Sequence, residues 1–137
     1  MKTVARRRNG FTHDVEIEGG HTLVMDEPTG AGGADEGPSP TRLLSASLAA
    51  CTAITCEMYA DRKAWDLGDV EVEVEASYGQ NSRVEGFEVT LRMSADLDDE
   101  QRERLIVIAG KCPVHRALAG ETPVTIADRI ESLTPSD

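Results

Sequence analysis

Positive charge is scarce in this chain: 14 lysines and arginines face 25 aspartates and glutamates, for a net charge of −11. A surface of that sign repels phosphate backbones and anionic lipid, so neither nucleic acid nor a membrane surface is an expected partner. Also missing is any run of about 18 apolar residues, so no membrane span is expected. The opening stretch MKTVARRRNG carries charge with no apolar stretch behind it. It does not read as a signal peptide, and the expected compartment is the cytoplasm. Cysteine is sparse and odd in number, three in all, which argues against a structural disulfide framework. In a reducing compartment a bridge between two of them is expected to be transient and catalytic.

What is there fits one domain spanning 1–137, long enough to bury about two thirds of its unfolded surface. Asn9-Gly10 is a strong turn signal, and Gly19-Gly20 sits between two alternating runs, so residues 3 to 26 are expected to form a strand followed by a hairpin. Residues 27 to 40, EPTGAGGADEGPSP, read as a long loop, either a binding loop or a mobile connection. Ser39 as N-cap and Pro40 at the first position open a helix expected to run to about Trp65, with Ser39 supplying a capping oxygen. No charge falls between Arg42 and Glu57, so this helix is expected to be buried on all sides, with a second subunit covering part of it. DVEVEVEASY and VEGFEVTLRM alternate with period two and predict a hairpin laid on that helix. Asp96 to Glu100 offer the cap and first-turn acids of a second helix, broken near Gly110 and resumed at Pro113. The run from Pro123 to Ile130 predicts a closing strand. The class is α+β, with antiparallel strands.

The three thiols separate by position. Cys51 and Cys56 are five apart on one helix, a rise of about 7.5 Å, beyond the roughly 7 Å limit for bridged Cα atoms. Cys56 therefore reads as core, and Cys51 taken alone reads the same way, because free cysteine is among the most buried residue types. Cys112 follows Lys111 and precedes a helix start at Pro113, and both neighbours favour the thiolate. Cys112 with His115 has a Cys-x-x-His spacing, but no second ligand pair accompanies it, so a zinc site is the weaker reading.

GPSPTRLLSASLAACTAITCEMYADRK, followed some fifty residues later by LDDEQRERLIVIAGKCPVHRAL, resembles the OsmC/Ohr family, the osmotically inducible and organic-hydroperoxide-resistance proteins, and more closely its OsmC-like branch. The resemblance extends along nearly the whole chain. It implies an OsmC-like fold: a long buried central helix and a second, broken helix, wrapped by antiparallel strands in an intertwined homodimer. It implies a thiol peroxidase for organic hydroperoxides, working without metal or flavin. Cys51 is then the attacking thiolate, Cys112 resolves the resulting sulfenic acid as a disulfide, and a dithiol reductant reopens the bridge. Arg8 best matches the arginine that holds the thiolate, with Arg6 and Arg7 as neighbours in the same run. Thr41 and Arg42 stand where relatives often carry a glutamate that pairs with this arginine, leaving Asp35 and Glu36 as substitutes. The residue-level reading favours Cys112 as the more acidic thiol, whereas the resemblance gives first attack to Cys51. A second reading keeps the fold without catalysis, as a dimer binding a small apolar molecule between its subunits.

Overall fold

The computed structural model describes residues 1–135. Three short strands open it: β1 (Thr3–Asn9), β2 (Thr12–Ile17) and β3 (His21–Met25) form an antiparallel sheet in the order β1-β2-β3. The two expected turns are where the glycines stand, Asn9 facing Thr12 across the first and Ile17 facing His21 across the second. After the connection comes α1 (Pro40–Arg62), then β4 (Val70–Tyr78) and β5 (Val84–Met93), a separate two-stranded antiparallel sheet. Two helices, α2 (Asp99–Ala109) and α3 (Pro113–Leu118), complete the described elements.

Period-two patterning sets the register of the second hairpin. Val70, Val72 and Val74 oppose Met93, Leu91 and Val89. Val70, Leu91 and Met93 pack against a core of Cys56, Ala60, Leu67, Leu105, Ile108 and Ala109. The alternate glutamates Glu71, Glu73 and Glu75 face water, as one-face burial requires. The core therefore lies where α1, α2 and the β4-β5 hairpin meet.

Three expectations need correction. Ser39 and Pro40 do open α1, but the Ser39 hydroxyl turns to Thr41 Oγ1 at 3.5 Å and makes no capping bond. The helix is not buried all round: Leu48, Thr52, Cys56 and Ala60 form one buried stripe, while Ile54 and Met58 are 53% and 56% exposed. By length and composition alone α1 matches a membrane span, with a mean hydropathy of 1.3 over its best window, although the sequence contains no long apolar run. Its leucines, isoleucine, alanines and cysteines hold the average up, while interspersed serines and threonines break the run. The packing of its buried stripe on the chain's own core identifies it as a core helix.

The third correction concerns Pro123 to Ile130, which is not a strand. Its alternating apolar residues remain in water, Val124 63% and Ile126 82% exposed. A strand requires a partner edge for its backbone groups, and within one chain this segment pairs with none.

The start of α2 follows the sequence signal closely. Asp98 Oδ1 accepts the Gln101 N–H at 2.8 Å, and Gln101 Oε1 accepts the Asp98 N–H at 3.0 Å, a reciprocal capping box. Asp98→Ala removes the acceptor, and the expected loss is about 1 kcal/mol, read as a lower urea midpoint with an unchanged slope.

Candidate functional site

The sequence separates Cys51 and Cys112 by 61 positions, and the fold joins them in a disulfide with Cα atoms 5.9 Å apart. The break after α2 makes this possible. Lys111 N–H closes on Ile108 O at 2.9 Å and Cys112 N–H on Ala109 O at 3.2 Å, a tight turn that ends α2. Pro113 then starts α3 at its first position, where a missing N–H costs nothing, and leaves Cys112 as the N-cap. Its sulfur accepts the His115 backbone N–H at 3.5 Å and is 0% exposed. Cys51, midway along α1, is only partly buried.

Cys56 stays apart from this pair. It is buried in the core, its thiol donates to Leu105 O at 3.7 Å, and burial, with a smaller contribution from Glu57, pushes its pKa up to about 11. A thiol so seldom ionised is a poor nucleophile. With Cys112 bridged, the Cys112–His115 spacing also lacks a thiolate to offer a metal.

An apolar cavity of about 380 Å³ adjoins the bridge. Leu44 and Leu48 of α1, Phe87 and Val89 of β5, and His115 and Leu118 of α3 line it. Leu48 stands one turn before Cys51 and His115 one turn after Cys112, so cavity and bridge share the same helix segments.

Arg8 is delivered by the other sheet. On β1 it forks onto Asp14 of β2, its Nε 3.2 Å from Oδ2 and its terminal nitrogen on Oδ1. These bonds hold the Asp14 carboxyl below the ordinary carboxylate range. Arg6 pairs in the same way with Glu16, whereas Arg7, on the other face of the strand, makes no ion pair among the described residues. No hydrogen bond or ion pair joins Arg8 to either cysteine among the described residues. Asp14 thus supplies a carboxylate for the arginine where Thr41 and Arg42 offer none, and Glu36 adds a weaker charge effect. Sequence reading overlooked Asp14, although folding the hairpin about Asn9-Gly10 brings the side chains of Arg8 and Asp14 to one face.

A second overlooked carboxylate organises the glycine-rich connection. Asp26 is 2% exposed and accepts Thr12 Oγ1–H at 2.7 Å, Glu27 N–H at 2.7 Å and Glu36 N–H at 3.2 Å. The Thr12 hydroxyl, chiefly, and the backbone amides lower its pKa against the opposing effect of burial. One anion thus pins both ends of the loop, which contains a single 3₁₀ turn at Thr29–Ala31. A side chain at Gly33 would collide with the Glu27 carbonyl, and one at Gly37 with the Val24 carbonyl, so the backbone passes too close for any other residue. The connection is folded onto Asp26 through these contacts. The signal was in the register: extending His13 opposite Met25 by one position sets Thr12 against Asp26.

Because the folded Asp26 titrates below its unfolded value, its contribution is fully present above about pH 4 and is lost as pH falls through the lowered value. The expected outcome is slow amide exchange at Glu27 and Glu36 at neutral pH, lost in strong acid and lost at neutral pH in Asp26→Asn. Unchanged protection in that variant removes the anchoring role. Iodoacetamide at pH 8 on the reduced, folded protein is expected to leave Cys56 unlabelled until denaturant is added, read by peptide mass.

The family model for OsmC-like protein matches residues 32–127 of the chain. No match to the chain was found among curated proteins. Among solved structures, the chain is similar to a candidate osmotic-stress-induced and detoxification-response protein from Psychrobacter arcticus, with 22% identity, a TM-score of 0.78, and coverage of 85% of this chain and 87% of the other. It is similar in fold to an OsmC-like protein from Mycoplasma pneumoniae, at 17% identity and a TM-score of 0.75, covering 87% and 86% of the two chains. At 25% identity and a TM-score of 0.60 it is similar to the organic hydroperoxide resistance protein OsmC from Legionella pneumophila, covering 88% and 90%.

Proposed function

The chain belongs to the OsmC-like protein family, and from that premise we propose that it is a thiol-dependent peroxidase that reduces organic hydroperoxides. The observation that carries the proposal is the bridge between Cys51 and Cys112, two cysteines 61 positions apart. The Cys51 thiolate attacks the outer oxygen of the hydroperoxide, the O–O bond breaks, and the alkoxide leaves and is protonated to the alcohol. Cys51 is then a sulfenic acid. Cys112 attacks its sulfur, water leaves, and the disulfide forms. A dithiol reopens the bridge and becomes a disulfide itself.

Mid-helix, Cys51 gains nothing from a helix terminus, so its thiolate requires a cation. Arg8, held in a fork by Asp14, is the proposed source, and its fixed geometry suits a peroxide oxygen as well as a thiolate. The proposed active form is a homodimer. The uncovered Ile54 and Met58 face of α1 and the unpaired run from Pro123 to Ile130 are apolar surfaces that a second copy of the chain would bury. The competing proposal, a non-catalytic dimer that binds a small apolar molecule, draws on the cavity of about 380 Å³ beside the bridge.

Cumene hydroperoxide consumption with a dithiol reductant separates the two. Cys51→Ser is expected to abolish turnover. Cys112→Ser is expected to retain one stoichiometric oxidation and lose the dithiol-driven disulfide cycle. Arg8→Ala is expected to slow the first oxidation on the order of a hundredfold, the scale for losing one charge-stabilising donor. Peroxide consumption that Cys51→Ser leaves intact overturns the peroxidase mechanism.

A further inference from the structure

His115 has no place in the family reading, yet its environment is unusual. Its Nδ1 is shut off from solvent and has no hydrogen-bond partner, and the ring lines the apolar cavity beside the bridge. A buried polar atom left unpaired costs about 1–3 kcal/mol, so another state of the protein is expected to supply the missing partner.

The local geometry indicates which partner. Cys112 is the N-cap of α3 and His115 stands three residues on. In a capping box the side chain at that third position turns back and accepts the backbone N–H of the N-cap residue. Here half of the box is made, since Cys112 Sγ accepts the His115 N–H at 3.5 Å. The other half is blocked, because the Cys112 N–H is already held by Ala109 O at 3.2 Å. The imidazole thus remains beside the N-cap with a free acceptor. In the oxidised protein the Cys112 sulfur has no proton to give. Once the bridge opens, that sulfur gains a proton and becomes a new donor on the same turn of α3 as His115.

We propose that His115 is the proton partner of Cys112, taking the thiol proton when Cys112 forms the bridge and returning one when the bridge is opened. The inference rests on the peroxidase reading for the first step only. In that step the Cys112 S–H proton passes to Nδ1 and the sulfur lone pair bonds to Cys51. The sulfenic S–O bond breaks, and the departing hydroxide takes the proton and leaves as water. In reopening, a thiolate of the dithiol attacks Cys51, the more exposed sulfur, and the S–S bond breaks. Cys112 leaves with the electron pair and takes its proton from Nδ1 of the imidazole, whose other ring nitrogen takes one up from solvent. The second thiolate of the reductant then displaces Cys51, so that two electrons pass from dithiol to protein. Glu85 of β5 is the other ionisable group lining the same cavity, Lys111 and Arg116 are near His115 in sequence, and Cys51 is bonded to Cys112 from α1.

Dithiothreitol opening of the oxidised protein tests the inference without any peroxide. Rates are followed by gel shift from pH 6 to 9 for the parent, His115→Ala and His115→Asn, each checked for folding by circular dichroism. The backbone N–H to Cys112 survives both substitutions, so only the imidazole is removed. At pH 7 both variants are expected to open on the order of tenfold to a hundredfold more slowly, within the range of a lost proton-transfer group. The gap is expected to close as pH rises toward 9, where a departing thiolate has less need of a proton. Equal rates at pH 7, a ratio constant across the pH range, or full recovery in His115→Asn each overturn the proposal. If the parent fails to consume cumene hydroperoxide while opening still depends on His115 in this way, the peroxidase reading falls and the His115 assignment stands.

Discussion

A short break between two helices governs the rest of the site. Had α2 continued past Gly110, residue 112 would have been carried onward along its axis. The turn at Lys111 and the fresh start at Pro113 instead leave Cys112 against the middle of α1. Closing a loop of 61 residues limits the unfolded chain by about 4 kcal/mol in a chain-entropy estimate. The redox state of the pair and the stability of the fold are therefore linked, and the core of α1, α2 and the second hairpin must hold the two segments in register when the bridge is open.

The charged half of the site is built differently. Arg8 and Asp14 are neighbours across the first hairpin, so their fork depends only on local register and not on the helices. Asp26 extends the same sheet into the loop by collecting a hydroxyl and two amides. The bridged cysteines thus sit on α1 and at the start of α3, and the arginine on the first sheet.

Much of the architecture was legible because local and global signals agree. The Val/Glu alternation of β4, the glycine turns, the Asp98 cap and the Pro113 restart each act within a few residues. Legibility failed where a residue's fate depended on something distant. Ser39 carries a cap residue's side chain but turns to a neighbouring hydroxyl. The run from Pro123 to Ile130 has a strand's pattern and no edge to join. Asp14 and Asp26 become visible only after two strands are laid side by side. Of the three thiols, position singled out Cys112, Cys51 and Cys56 read alike as core, and the partner of Cys51 was implied only by family likeness.

Cys56 sits on the same helix as Cys51, five residues away, and its isolation matters beyond packing. Helix spacing already bars a Cys51–Cys56 bridge, which leaves Cys56–Cys112 as the one wrong pairing open to a free sulfur. Burial closes that route twice, by holding the Cys56 sulfur on the Leu105 carbonyl and by keeping it protonated. The core thereby withholds the third sulfur from exchange and leaves Cys51 and Cys112 as each other's partners.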